Sequence, residues 1–205
     1  MRVTELDPAN KEDLVALITG DFDVAFLCLH GKGGEDGAMQ GMLEVIGLPY
    51  TCPGVWSSAT AMDKEKAKVF YRQNDISTPI SIAVSKGQEY DAANLLEQVG
   101  SRVVVKPAAE GSALGVSICE TAQEVEDALA STFEIAQTAM VETFVAGREL
   151  TVAVIGNEDA QVLPVIEILP QLGEFYDYES KYAPGGSKNL CPEVPRLVAH
   201  RYDLG

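Results

Sequence analysis

Along the first fifty residues the apolar positions switch between two spacings. Leu14, Val15, Leu17 and Ile18 recur at helical spacing between Lys11 and Ile18, with Gly20 as the stop. Asp23 to Leu29 follows as an almost unbroken apolar strand ending at His30-Gly31. Gly31-Lys32-Gly33-Gly34-Glu35-Asp36-Gly37 reads as a turn-rich loop, and the next helix carries Met39, Met42, Leu43 and Ile46 on one stripe and closes at Gly47. Strand, glycine loop and helix in this order predict a doubly wound sheet, whose ligands sit beyond the carboxyl ends of its strands.

Pro49 to Ser58 is turn-like, and Asp63 can cap a helix from Lys64 to Asn74 that Thr78-Pro79 ends. Val103-Val104-Val105-Lys106 and Val116-Ser117-Ile118 are β-branched runs around a small-residue loop, a hairpin pattern. Thr121-Ala122-Gln123-Glu124 has capping-box spacing, and Val125, Ala128, Leu129 and Phe133 make one helical face. Ala139 to Phe144, Glu149 to Ile155 and Val162 to Ile168 read as strands, the last two joined by a turn at Gly156-Asn157-Glu158-Asp159. There is no internal repeat or low-complexity segment.

The hairpin is where chemistry first shows. Gly111 and Gly115 allow backbone N–H groups to approach an anion, and Lys106, at the end of a buried strand, is costly to desolvate without a negative partner. A phosphate loop and an ordinary hairpin whose lysine snorkels to solvent both fit this segment taken alone.

Composition narrows the choices. Over 205 residues, 46% hydrophobic and 22% charged side chains make one good core or two small domains the expectation. A net charge of −16 argues against nucleic acid and anionic membrane as partners, so a phosphate ligand must be met by local lysines and a divalent cation. Cys28, Cys52, Cys119 and Cys191 are scattered without a CxxC pair, which suits reduced, buried thiols in a cytoplasmic protein. No apolar run approaches the ~20 residues of a membrane span.

Five features then line up in order: the Lys64 helix, the Lys106 hairpin, Glu142 closing a strand, Gly147-Arg148-Glu149 opening another, and Tyr176-Asp177-Tyr178-Glu179-Ser180-Lys181-Tyr182. With His30-Gly31-Lys32-Gly33-Gly34-Glu35-Asp36-Gly37, Gln40-Gly41, Gly47-Leu48-Pro49-Tyr50-Thr51 and Met62-Asp63-Lys64, they give an ordered series across residues 23 to 192. This series resembles the D-alanine–D-alanine ligases of the ATP-grasp superfamily. The resemblance implies an α/β chain, α+β in the ATP-grasp part. A partial doubly wound domain over residues 1–58 would precede an incomplete ATP-grasp fold, with a central subdomain over 59–135 and a C-terminal subdomain with its lid loop over 136–205.

It also implies roles. Lys64 and Lys106 would contact ATP phosphates; Glu142, with Thr143, Phe144 and Val145, would hold the adenine; Glu149 would take the ribose hydroxyls. A strand-end carboxylate can accept from an exocyclic amine, and two vicinal hydroxyls can donate to one carboxylate. Lys181 would sit on a loop closing over the γ-phosphate, with Ser112 and Tyr182 holding that loop over the substrate, and His30 would lie near the substrate carboxylate and its acyl phosphate. For His30 the plain alternative is a hydrogen-bonded loop residue, and for each carboxylate a surface position at a strand end. The implied substrates are ATP and D-alanine, with Mg²⁺, and a homodimer is usual in such families.

Three departures from the family pattern shape the expectation. The substrate-binding strand that opens family members is not seen before residue 23, the hairpin has Gly111-Ser112-Ala113 where the family has two serines, and the metal-binding carboxylate strands are missing after Cys191-Pro192. Arg201-Tyr202-Asp203 echoes one of those motifs too close to the lid loop, so no metal ligand is assigned. The expectation is an incomplete copy with weak ATP affinity and little dipeptide synthesis by itself. A nucleotide-binding remnant without turnover, or another ATP-grasp carboxylate–amine ligase, are the alternatives.

Overall fold

The structure is a computed structural model and describes residues 2–111, 113–170 and 185–191. Ser112, Tyr176, Tyr178, Lys181, Tyr182 and the Arg201-Tyr202-Asp203 echo lie outside the described residues. The chain divides into two compact units, one built from Met1–Thr78 and Ala108–Gly111, the other from the remainder.

The first unit is mostly helical. Helix α1 (Lys11–Thr19) starts at Asn10, whose side chain accepts from Glu12 N–H, and α2 (Ala38–Ile46) ends at the left-handed Gly47. Leu43 and Met39 of the expected α2 stripe are buried. On α1, however, Val15 and Ile18 are exposed, so that helix buries little. Helix α4 (Lys64–Gln73) begins where Asp63 accepts from the N–H groups of Glu65 and Lys66, as its capping position predicts.

Two expectations fail here. Asp23 to Leu29 forms no strand of its own; it makes one parallel bridge, Ala25 with Tyr50, through Ala25 N–H to Pro49 O at 2.8 Å and Thr51 N–H to Ala25 O at 3.0 Å. A ladder needs a partner along its length, and among the described residues this apolar run is bridged at Ala25 alone. Pro49 to Ser58 is not turn throughout, because α3 (Val55–Met62) starts directly after Pro53-Gly54 and buries Ser58.

The second unit holds the main core. Its sheet has the order β1 (Ser81–Ser85), β4 (Thr138–Thr143), β2 (Val103–Pro107), β3 (Ser117–Cys119), antiparallel throughout. Helices α5 (Ala92–Val99) and α6 (Ala122–Ile135) contribute Leu95, Val99, Val125 and Leu129 to a cluster with Val84, Val103, Val105 and Val141 of the sheet. The expected hairpin is present, pairing Val103 with Cys119 and Val105 with Ser117. The expected capping box is also present: Thr121 Oγ1 accepts from Glu124 N–H, and Glu124 Oε2 accepts from the N–H groups of Thr121 and Glu120. Those N–H groups hold the Glu124 carboxyl below its usual pKa. Strand β1 and helix α5 are additional to the elements expected: the five small and β-branched residues of β1 carry little periodicity, whereas Asp91 followed by Ala92, Leu95, Leu96 and Val99 is a capped helical stripe that sequence reasoning passed over.

Beyond β4 the expected long strands are shorter. Glu149 to Ile155 divides into β5 (Glu149–Thr151) and β6 (Val154–Ile155), and Val162 to Ile168 into β7 (Gln161–Val162) and β8 (Ile166–Pro170). Strands β5, β8 and β9 (Ser187–Leu190) form one antiparallel sheet, and β6 with β7 a ribbon whose turn is the Gly156 to Asp159 stretch. Pro164 lies at the break between β7 and β8, where its missing N–H cannot serve a ladder. The four cysteines are free, but only Cys119 is buried; Cys28, Cys52 and Cys191 are exposed, contrary to the expectation of buried thiols. Burial pushes the Cys119 thiol up. Among the described residues no helix is long and apolar enough to cross a membrane.

Candidate functional site

Within the first unit the loop after His30 meets the Ala108–Gly111 segment. Glu35 Oε2 accepts from Gly31 N–H at 2.5 Å, and Asp36 accepts from Gly33 N–H at 2.8 Å and Ala38 N–H at 3.1 Å. The Gly33 N–H is the main cause of a lowered Asp36 pKa. Gly34 folds back against the backbone carrying His30: a Cβ there would stand 2.5 Å from Leu29 Cβ and 3.3 Å from His30 N. From α2, the buried Gln40 donates through Nε2 to Gly34 O at 2.8 Å, while its Oε1 has no partner among the described residues.

Lys64 closes the arrangement. Its backbone N–H donates to Ala108 O at 2.9 Å and its Nζ to Glu110 O at 2.6 Å. A Cβ on Gly111 would lie 3.6 Å from Gly31 Cα, in ordinary van der Waals contact. His30, Lys64 and the Ala108–Gly111 segment are thus brought to one place, although they are far apart in the chain.

In the second unit Lys106 and Glu142 meet. Strand β2 buries Val103, Val105 and Pro107 on the face that packs α5 and α6, leaving Val104 and Lys106 on the other. On that other face Lys106 is opposite Met140 and Val104 opposite Glu142, so Lys106 and Glu142 are diagonal neighbours. Lys106 Nζ stands 2.5 Å from Glu142 Oε1, with side chains 20% and 11% exposed. This ion pair supplies the negative partner that the sequence demanded for Lys106, and it shows that Glu142 is buried, not a surface carboxylate.

The strand end after Glu142 is pinned from both sides. Thr143 donates from its N–H to Ile80 O at 2.9 Å and from Oγ1 to Val99 O at 2.5 Å. Phe144 N–H donates to Arg102 O at 3.0 Å, and the Arg102 guanidinium lies 4.3 Å from the Phe144 ring centroid, a cation–π contact. Val145, 67% exposed, follows as an open apolar surface beside the pinned segment.

Glu149 begins β5 one residue after Arg148. Arg148 reaches Glu167 of β8 with two parallel bonds, Nε to Oε1 at 2.5 Å and Nη2 to Oε2 at 2.6 Å. Arg148 holds the Glu167 carboxyl below its usual pKa and is itself raised by it. Sequence reasoning placed Gln40 in the motif series without a role, and it missed Arg102 and Glu167. Of these, Glu167 carried a signal, a carboxylate inside the apolar run Val165-Ile166-Glu167-Ile168-Leu169, which poses the same demand for a partner as Lys106 does. Among the described residues no three His, Cys, Asp or Glu side chains come together as a metal-binding group.

Two family models match the chain, "D-ala D-ala ligase N-terminus" over residues 6–53 and "D-ala D-ala ligase C-terminus" over residues 73–198. The D-alanine–D-alanine ligase of Desulfotalea psychrophila is 42% identical over 194 residues, 94% of this chain and 60% of that protein. The ligase of the same name from Halalkalibacterium halodurans is 43% identical over 92% of this chain and 60% of its own length. Among solved structures, the D-alanine–D-alanine ligase of Bacillus anthracis superposes with a TM-score of 0.72 at 34% identity, covering 91% of this chain and 59% of that one. The VanG D-Ala:D-Ser ligase of Enterococcus faecalis gives 0.73 at 34% identity, covering 84% and 50%. The mixed helices and antiparallel sheets are therefore those of an ATP-grasp fold. The chain belongs to the D-ala D-ala ligase family and spans about 60% of the length of the curated relatives it matches.

Proposed function

We propose that this protein acts in ATP-dependent joining of two D-alanines, through an acyl phosphate, for peptidoglycan precursor synthesis in the cytoplasm. The observation that supports this most directly is the Lys106–Glu142 pair beside a pinned strand end, in a chain of this family. An ammonium held by a carboxylate partner is a positioned donor that a phosphate can share, and a buried carboxylate next to an open apolar surface suits an adenine.

In the first step the γ-phosphoryl group passes from ATP to the carboxylate of one D-alanine, giving ADP and an acyl phosphate. In the second, the amine of the other D-alanine attacks the acyl carbon, loses a proton and expels inorganic phosphate. Positioning and charge stabilisation carry both steps. Lys64 and Lys106 offset the phosphate charge; Glu142, Thr143, Phe144 and Val145 hold the base; Glu149 takes the ribose hydroxyls; His30 faces the carboxylate and its acyl phosphate. Lys181 would act at the γ-phosphate from a loop that Ser112 and Tyr182 help hold over the substrate, which keeps water out.

The likeness to VanG favours a second reading, in which the attacking amine is another small D-amino acid such as D-serine. Phosphate release and dipeptide formation, measured with ATP, D-alanine and a panel of D-amino acids, separate the two. Release that depends on D-alanine alone supports the first reading. Release that needs D-serine supports the second, and stabilisation by ATP analogues without any release leaves a nucleotide-binding protein.

A further inference from the structure

We infer that the Arg148–Glu167 ion pair is a positioning device for Glu149, locking the register of a short edge strand so that this carboxylate is presented to the ribose of a bound nucleotide. The inference rests on the proposed function, in which Glu149 takes the ribose hydroxyls.

Strand β5 has three residues and lies at the edge of the sheet β5-β8-β9, so few ladder bonds hold it. Its register sets Glu149 against Ile168, Leu150 against Glu167 and Thr151 against Ile166. Side chains alternate across a strand, so Arg148, Leu150 and Glu167 share one face and Glu149 leaves from the other. Burial agrees, with Leu150 half-buried between the exposed Glu149 and Thr151.

A slip of one residue would send Glu149 to the wrong face, and short edge strands resist slippage weakly. The pair resists it well. A guanidinium and a carboxylate joined by two parallel bonds, here 2.5 and 2.6 Å, fix orientation as well as distance. Glu167 is largely buried on the middle strand of the sheet, its side chain 12% exposed, so the anchor is the firm partner and Arg148 the one held. Lysine lacks the planar fork and cannot make the same clamp.

The test compares equilibrium binding of ADP with that of 2′,3′-dideoxy-ADP by titration calorimetry on the full chain. Wild-type protein should prefer ADP about tenfold, the value of a hydrogen bond to a charged group. E149Q should bring the ratio near one. R148K and E167Q should narrow the ratio to about twofold with dideoxy-ADP affinity unchanged, and the swapped pair R148E/E167R should recover most of the preference. A full preference kept in R148K and E167Q while E149Q loses it overturns the inference and spares the ribose assignment. Equal weakening of both nucleotides overturns it too, making the pair structural only. A preference kept in E149Q, or no preference or no binding in the wild type, removes the ribose assignment itself and the inference with it.

Discussion

Lys106 and Glu142 lie on neighbouring antiparallel strands two register positions apart, and their charged atoms are 2.5 Å apart on the sheet face opposite the helices. Both side chains are mostly out of water, so each offsets part of the other's desolvation. In the proposed function this would matter, because an ammonium whose carboxylate partner is fixed would already be held in place before a nucleotide arrives.

Removing one member should therefore cost more than removing both. K106M leaves a buried carboxylate short of its partner and should destabilise the second unit by about 2–4 kcal/mol, whereas K106M/E142M should recover at least half of that loss. Urea unfolding midpoints of the wild type, the two single variants and the double variant give the coupling directly. Additive losses would show that the two charges do not depend on each other.

The Arg148–Glu167 pair has a pH signature. Arg148 holds the Glu167 pKa below its ordinary value, so in the folded protein the carboxylate persists to lower pH than in the unfolded chain. A depressed folded pKa gives stability that is present above the unfolded carboxylate value of about 4.3 and lost as pH falls through the folded one. The stability gap between wild type and E167Q should be constant from pH 6 to 8 and close below pH 4, as followed by denaturation at a series of pH values. A gap that widens on acidification contradicts the pairing.

The capping box of α6 is a local device with a local cost. Thr121 Oγ1 accepts from Glu124 N–H at 3.3 Å, so T121A should lower stability by about 1 kcal/mol and T121S by a few tenths. Thermal unfolding of the three proteins decides it, and equal losses in T121A and T121S would show that the hydroxyl is not the active element.

Two glycines of the first unit should respond in opposite directions. A Cβ at Gly34 would collide with Leu29 Cβ at 2.5 Å, so G34A should destabilise by about 1–3 kcal/mol and shift the His30 imidazole resonances. Gly41, inside α2, has only Val55 Cγ2 at 3.8 Å, so G41A should stabilise by about 0.5–1 kcal/mol through lower chain entropy. Calorimetry with imidazole NMR checks both: a neutral or stabilised G34A would show that the Gly34 contact is not tight, and a destabilised G41A that the space at Gly41 is not open.

The amino-acid sequence alone determined what short-range chemistry controls. Asp63 starts α4, Thr121 and Glu124 start α6, Gly47 ends α2 and the Gly156 to Asp159 turn joins β6 to β7, because caps and turns are settled within about four residues. It also marked Lys106 as needing a partner, since a lysine in an apolar strand is a cost visible from its neighbours. Which partner that is, Glu142 at a separation of 36 residues, depended on the order β4-β2 and on a diagonal register. The same holds for Arg148 with Glu167, for Lys64 with Glu110, and for the failure of residues 23 to 29 to form a strand. Strand pairing and long-range ion pairs join residues that share no local signal, so only the tertiary structure could choose among the partners the sequence allowed.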